Sequence, residues 1–113
     1  MKELLDKLIE KQTVETSRPS KSAGALKECI DRDYVHILFK KTDTELGIRL
    51  KRDECNFESA DFTAGRGHVH IVGGLTLDYN KVKCIADIDI STCEGLANLE
   101  PVTDEEYIKL MAK

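Results

Sequence analysis

The chain has 113 residues, 41% of them hydrophobic and 34% charged, and its net charge is −4. That length predicts a single domain over residues 1–113, large enough to fold without a metal ion or a disulfide. Residues 67–113 carry the whole negative excess, with four basic and eight acidic side chains, whereas residues 1–66 carry 13 of each. Because an acidic domain repels phosphate backbones, this charge disfavours general nucleic-acid binding.

The N-terminal sequence shows no targeting segment, since residues 1–11 are charged throughout and lack the apolar run of a signal peptide. The sequence also has no apolar stretch of membrane-spanning length. We therefore expect a cytoplasmic protein without a membrane partner, in which cysteines remain thiols. A structural zinc site is not expected, because none of the four cysteines has C-x-x-C spacing: Cys29, Cys55, Cys84 and Cys93.

Residues 1–31 are predicted to be a helical segment interrupted by a mobile loop. A stripe of four aliphatic residues at helical spacing predicts a helix over residues 2–12: Leu4, Leu5, Leu8 and Ile9. The polar residues 15–22, which include Pro19, predict the loop. Ser22 is then placed to cap a short helix that runs to Ile30.

Residues 33–92 are predicted to form an antiparallel β core, because hydrophobic residues alternate from Tyr34 onward. The runs YVHILFKK and ELGIRLK predict a hairpin, and residues 55–63 suggest a short, bulged strand. Three further strands are predicted in GHVHIV, GLTLDY and KVKCIADIDIS. Turns between them are expected at Gly73–Gly74 and at Asn80–Lys81.

A C-terminal helix over residues 102–112 has the clearest start signal in the chain. Thr103 and Glu106 have the spacing of a capping box, in which each side chain bonds the other residue's backbone N–H. Acidic residues in the first turn also suit the positive end of the helix dipole. The helix is therefore predicted from its own residues, without reference to the rest of the chain.

Together these elements predict an α+β fold: an antiparallel sheet or a small SH3-like β-barrel of five to six strands, with N-terminal and C-terminal helices. In the rhythm of its short strands, the stretch from Tyr34 to Ile90 resembles a small SH3-like or Sm-like barrel. The resemblance rests on strand spacing and on no family motif, so it implies an architecture and no function.

Two pairs of potential metal ligands occur at strand spacing. His68 and His70 are two residues apart, as are Asp87 and Asp89, so each pair shares one face of its strand. If the two strands were neighbours, the four side chains could converge on zinc, manganese or ferrous iron. The simpler alternative is that they form the polar outer face of two amphipathic strands. We accordingly expect no cofactor, with a metal ion at these residues as the exception.

A second candidate site surrounds Arg66, which lies between two glycines in the run AGRG. Glycine lets the backbone approach a ligand closely, and a guanidinium can bind a carboxylate or a phosphate. With His68, His70 and Tyr79, Arg66 could bind a small anionic ligand or a nucleotide, and such a binder could be a homo-oligomer. The alternative is an ordinary hairpin tip, because no P-loop context surrounds the arginine.

The acidic residues Asp104, Glu105 and Glu106 form a third candidate site. An acidic surface on a small domain can occlude a basic site on another protein. Capping of the C-terminal helix, together with solubility, is the alternative explanation for the same three residues.

The sequence favours a small, non-enzymatic binding protein, one form of which is an inhibitor or immunity-type protein that occludes a partner protein through its acidic surface. No nucleophile with its base, catalytic carboxylate pair or cofactor loop stands out to support an enzyme. Two alternatives remain open. One is a small-ligand or nucleotide-binding protein that uses the Arg66 site, and the other is a metal-dependent enzyme that uses the His and Asp pairs.

Overall fold

The structure is a computed structural model that describes residues 2–16, 22–77 and 79–111. Helices and strands alternate at the start of the chain, and the strands then run consecutively to a last helix. The elements are α1 (Lys2–Ile9), β1 (Gln12–Thr16), α2 (Ala23–Asp31), β2 (Tyr34–Phe39), β3 (Thr44–Leu50), a 3₁₀ turn (Arg52–Glu54), β4 (His68–Leu77), β5 (Asn80–Asp89), β6 (Glu94–Pro101) and α3 (Asp104–Met111).

Six antiparallel strands in the described ranges form a closed barrel, in which each strand pairs with its neighbours in sequence and β1 pairs with β6. The predicted α+β fold with a small β-barrel is therefore confirmed. The longest pairing joins β4 and β5, from His68 opposite Asp89 to Leu77 opposite Asn80. This hairpin is the most extensively paired part of the wall.

The barrel interior is apolar, because alternate residues of each strand point inward and those residues are mostly hydrophobic. Phe39, Ile71 and Leu99 are among its fully buried side chains. The helices add to the same core, since Leu8 of α1 and Leu26 of α2 are also fully buried. Burial of each such side chain contributes about 1.5–3 kcal/mol to stability, so the helices are integral to the domain.

Both predicted helix starts are confirmed. The Ser22 Oγ accepts a hydrogen bond of 3.1 Å from the Ala25 N–H at the start of α2. At the start of α3, Glu106 Oε1 accepts from the Thr103 N–H at 2.9 Å, and Thr103 Oγ1 accepts from the Glu106 N–H at 3.1 Å. None of the helices in the described ranges is long and apolar enough to span a membrane.

The strand β1 corrects the prediction that residues 1–31 form a helical segment. It pairs with β2 and β6 and so closes the barrel. Only Val14 and Thr16 of its five residues are buried, which is too short a run for alternation to be recognised. The predicted loop at residues 15–22 therefore starts too early, and residues 17–21 of that prediction lie outside the described residues.

The predicted turn at Gly73–Gly74 is wrong, because β4 continues through both glycines. They allow close packing instead. A Cβ at Gly73 would collide with the carbonyl oxygen of Arg49, and a Cβ at Gly74 would lie 2.7 Å from atoms of Leu110 and Met111. The missing side chains thus let β3 approach β4 on one side and let α3 lie against β4 on the other.

Two further strand predictions need correction. Within the described ranges, residues 55–63 form no strand and contribute only isolated bridges, which pair Asn56 with His70 and Asp61 with Arg66. The β core also extends past the predicted limit at residue 92, because Glu94–Pro101 forms β6. The number of strands thus agrees with the sequence-based range although two of the six, β1 and β6, were not predicted.

Candidate functional site

The shortest pairing between described strands of the barrel joins β3 and β4. Arg49 pairs with Gly74 and Leu50 pairs with Gly73. The described strands form no further pairs beyond Arg49, where the same register would place Ile48 opposite Leu75 and Gly47 opposite Thr76. The two strands therefore part at Arg49, and we call this short pairing and the gap beyond it the β3–β4 seam.

A groove of about 600 Å³ lies at the β3–β4 seam. Its wall on one side comes from β2 and the turn before it, and on the other side from α3. The lining residues are Arg32, Asp33, Tyr34, Glu45, Leu46, Gly47, Arg49, Gly74, Leu75, Thr76, Tyr107 and Met111. Its volume is within the usual range of small-molecule sites, and the mouth of a β-barrel is a common place for such a site. We call it the seam groove.

Two glycines on the outer face of the barrel shape the seam groove. Gly47 is covered by the phenol end of Tyr34, which a Cβ would displace. Gly74 is covered in the same way by Leu110 and Met111 of α3. Because neither glycine has a side chain, both walls of the groove rest directly on the strand backbone.

Two arginines without a carboxylate partner line the seam groove. Neither Arg32 nor Arg49 forms an ion pair within the described part of the chain, and both are exposed. Arg52 differs, because its Nε donates to Asp33 Oδ1 and its Nη2 donates to the Ile30 carbonyl oxygen at 2.7 Å. The Asp33 hydrogen bond raises the pKa of Arg52, and the Arg52 guanidinium offsets the charge of this acid of the groove. The uncompensated positive charge is that of Arg32 and Arg49.

A second, smaller groove of about 340 Å³ continues from the first. It shares Asp33, Arg49 and Met111 with the seam groove and adds residues from the end of β3 and the 3₁₀ turn. Lys51 and Arg52 are the additional cations there. Lys51 Nζ lies 3.5 Å from Asp53 Oδ1, and Arg52 is paired with Asp33. Arg49 is thus placed between two concave surfaces.

The His and Asp pairs lie on neighbouring strands, as the metal hypothesis required. His68 is opposite Asp89 and His70 is opposite Asp87. His70 Nδ1 forms a hydrogen bond of 2.8 Å with Asp87 Oδ1. The described residues nevertheless contain no group of three or more potential ligands placed to hold a metal ion. Three of the four side chains are instead engaged in hydrogen bonds within the sheet and its turn, since His70 bonds Asp87 and Asp89 bonds Ser91.

Asp89 also has a local structural role. Its Oδ1 accepts hydrogen bonds from the Ser91 hydroxyl at 2.6 Å and from the Ser91 N–H at 2.8 Å. These bonds, chiefly the one from the hydroxyl, lower the pKa of Asp89, with a smaller contribution from His68. The carboxylate therefore stabilises the turn between β5 and β6, which favours the polar-face interpretation of this side of the sheet.

The residues of the predicted Arg66 site do not come together as a group. Arg66 lies two residues before β4 and His68 is its first residue, whereas Tyr79 follows the end of that strand in the turn before β5. Ten residues of extended chain span roughly 30 Å, so Tyr79 lies far from Arg66. Tyr79 is fully exposed and has a positive φ of 69°, which is typical of a hairpin turn.

The three acids of α3 differ in their bonding. Glu106 is engaged in the capping box, and the hydrogen bond from the Thr103 backbone N–H lowers the pKa of its carboxyl, with a smaller contribution from the Thr103 side chain. Asp104 Oδ1 accepts from Lys81 Nζ at 2.9 Å. Glu105 is exposed, as is Ile108 one turn later on the same face of α3, where 69% of the isoleucine is accessible.

Sequence reasoning missed the seam groove. A local signal was present in the run ELGIRLK, where Gly47 interrupts an outward-facing row that continues with Arg49. Tyr34 also faces outward although it is aromatic, and 45% of it is accessible. The contribution of α3 could not be found in this way, because the approach of Met111 to Gly74 joins residues that are distant in sequence.

The chain was compared with protein-family models and with curated proteins. Neither comparison finds a match.

Proposed function

We propose that this protein is a small, non-enzymatic binding protein that holds a small anionic ligand in the seam groove. The observation that carries the proposal is the position of Arg49. Its exposed guanidinium has no carboxylate partner in the described part of the chain, and it lies where β3 and β4 part. This assigns the anionic ligand expected from the sequence to a different arginine from Arg66.

Physical chemistry supports an anion in this place. A guanidinium offers its donors in a fixed fork that matches a carboxylate or a phosphate, and charge-assisted hydrogen bonds are roughly twice as strong as neutral ones. Arg32 and Arg49 supply this positive charge locally, although the net charge of the chain is −4. We propose a cytoplasmic location for this function, since all four cysteines are thiols in the structure.

The test begins with native mass spectrometry of gently purified protein, which weighs any retained ligand and any homo-oligomer in one measurement. Thermal unfolding is then followed with and without inorganic pyrophosphate, phosphate and citrate. We expect at least one of these anions to raise the melting temperature, because a ligand that binds only the folded state stabilises it. Substitution Arg49→Ala should remove that shift.

Arg66→Ala is the matched control, because it removes another exposed arginine near the opposite end of β4. It should leave the thermal shift unchanged. The opposite pattern, with the shift lost in Arg66→Ala and kept in Arg49→Ala, would return the site to the Arg66 region. Absence of an Arg49-dependent shift with every anion, nucleotides included, would refute the proposed function.

A second candidate function is the occlusion of a partner protein by α3, supported by one observation. Ile108 is largely exposed beside the exposed Glu105, so this helix face combines an aliphatic contact with negative charge. The test is capture of a partner by the immobilised protein, compared with a Glu105→Lys, Ile108→Asp double variant. Glu106 should be left intact, because its carboxylate caps the helix. Equal capture by both proteins would rule out this surface.

A further inference from the structure

We infer that the ligand of the seam groove is a nucleoside phosphate, whose phosphate binds at Arg49 and whose base lies against Tyr34. The inference rests on the proposed function, since it names the chemical class of the ligand for the same groove. Its basis is the combination, within that groove, of cations, tyrosines and one carboxylate that has no ion pair among the described residues, that of Glu45. A ligand that satisfies all three must combine negative charge, a planar ring and hydrogen-bond donors.

The cations indicate a head group with more than one negative charge. Arg32 and Arg49 line the seam groove, and Arg49 and Lys51 line the smaller groove beside it. A single carboxylate needs one guanidinium, whereas a phosphate or diphosphate offers several oxygens and about two or three charges to share between such groups. Because Arg49 lines both grooves, we place the phosphate there.

Tyr34 supplies a surface for a planar ring. Its phenol end lies over Gly47, and the edge of its ring meets His36 in a T-shaped contact with centroids 5.1 Å apart. These contacts hold the ring on the barrel wall, while 45% of the residue stays accessible. Aromatic side chains held in this way are common stacking surfaces for nucleobases.

The opposite wall of the groove is also suited to a ring. Tyr107 and Met111 project from α3, and Lys81 Nζ lies 5.7 Å from the centroid of the Tyr107 ring. A methionine thioether makes favourable contacts with aromatic rings and adapts to their shape. A base against Tyr34 would therefore face α3 across the groove.

Glu45 would be unfavourable in a site that binds only a simple anion, because its carboxylate repels negative charge. It lines the seam groove and has no ion pair within the described part of the chain. A nucleoside offers sugar hydroxyls and exocyclic amines as donors for this carboxylate, and Thr76 provides a hydroxyl nearby. Glu45 thus favours a nucleoside phosphate over a plain anion.

The experiment is isothermal titration calorimetry with four nucleoside diphosphates, carrying adenine, guanine, cytosine and uracil, and with inorganic pyrophosphate. Pyrophosphate has the charge but neither the ring nor the sugar. We expect at least one nucleoside diphosphate to bind on the order of tenfold or more tightly than pyrophosphate, because stacking of one base is worth about that factor. Arg49→Ala should weaken the binding of both kinds of ligand.

Matched variants separate the ring from the charge. Tyr34→Leu should weaken binding of the preferred nucleoside diphosphate by about tenfold and leave pyrophosphate unchanged, whereas Tyr34→Phe should retain both affinities. Tyr107→Leu gives an independent check from the other wall. The melting temperature of each variant without ligand shows whether it is folded.

The outcomes distinguish the inference from the proposed function. If pyrophosphate binds in an Arg49-dependent way and no nucleoside diphosphate binds more tightly, the nucleoside inference is overturned and the anion site stands. Failure of every anion to bind would overturn both. Arg49-dependent binding that prefers one nucleoside diphosphate and weakens in Tyr34→Leu would establish the inference.

Discussion

Two glycines of β4, Gly73 and Gly74, determine how closely the neighbouring elements pack against that strand. Gly73 faces the interior, where it allows the Arg49 carbonyl of β3 to approach β4, and Gly74 faces outward beneath α3. Both occur within a strand and neither has a positive φ, so their role is close packing and not a turn. Sequence alone suggested a turn, because a Gly-Gly pair is a strong turn signal whenever the neighbouring elements are unknown.

Gly73→Ala is predicted to destabilise the protein by roughly 1–3 kcal/mol, because the added Cβ would force β3 away from β4. Gly24→Ala is the matched control. Gly24 lies in α2 with no atom within 4 Å of the added Cβ, so alanine should stabilise the helix by up to about 1 kcal/mol. Urea unfolding of the two variants gives both free energies. Equal and small effects would contradict the packing role of Gly73.

The buried thiol of Cys84 should make the protein less stable at alkaline pH. Burial raises the pKa of its thiol from 9.0 to about 12. Because the unfolded chain releases this proton first, stability should fall as the pH rises from about 9 towards 12, by at most about 1.4 kcal/mol per pH unit. Cys84→Ala should be less stable at pH 7 and lose stability less steeply above pH 9, as measured by urea unfolding at each pH. Parallel curves for the two proteins would contradict this prediction.

At the scale of elements, local signals predicted α2, α3 and the β2–β3 hairpin well. Ser22, Thr103 and Glu106 act within their own helix, so their effect can be read without the rest of the fold. The strand β1 depends instead on partners elsewhere in the chain. In β1, only Val14 and Thr16 are buried, and the strand is held by pairing with partners far away in sequence.

The seam groove could not be predicted for the same reason. Arg49, Tyr34 and Gly47 lie within 16 residues of one another, and their outward positions follow from strand alternation. The other wall comes from Tyr107 and Met111 of α3, whose position on the barrel follows from packing against β4. The metal hypothesis required the His and Asp strands to be neighbours, and the register meets that condition. The described residues nevertheless contain no group of three or more ligands placed to hold a metal ion.

The capping box of α3 can be tested by Thr103→Ala, which should lower the free energy of unfolding by about 1 kcal/mol at pH 7.

The lowered pKa of Glu106 adds a pH dependence of known sign to the stability of the protein. Its stabilising effect is present above the ordinary glutamate pKa of 4.5 and is lost as the pH falls through the lower pKa of the folded state. Glu106→Gln should therefore show a shallower loss of stability on acidification, measured by thermal unfolding between pH 7 and pH 3. An unchanged acid profile would contradict the assignment.

For the molecule as a whole, the pairings around the barrel differ in extent. β4 and β5 pair over all ten residues of β4, while β1 pairs with β2 only from Val14 to Thr16. We predict that native-state hydrogen exchange is slowest at the central amides of β4 and β5 and faster at those of β1, because short pairings open locally at lower free energy. Mass spectrometry of peptides from the exchanged protein would measure this. Exchange in β1 as slow as in β5 would show that the barrel opens only as one unit.

Ligand binding in the seam groove would be coupled to closure of the barrel wall between β3 and β4. A molecule that contacts Arg49 and Tyr34 on one side and Thr76 and α3 on the other would bridge two strands that pair only twice. Occupancy of the groove and closure of the wall would then be thermodynamically linked, so each would favour the other by the same free energy. Bound ligand should slow the local opening of β3 more than that of β5. A variant that widens the seam, such as Gly73→Ala, should bind the ligand more weakly although Gly73 itself does not line the groove. The weakest pairing in the barrel would thereby be the part most responsive to what the protein binds.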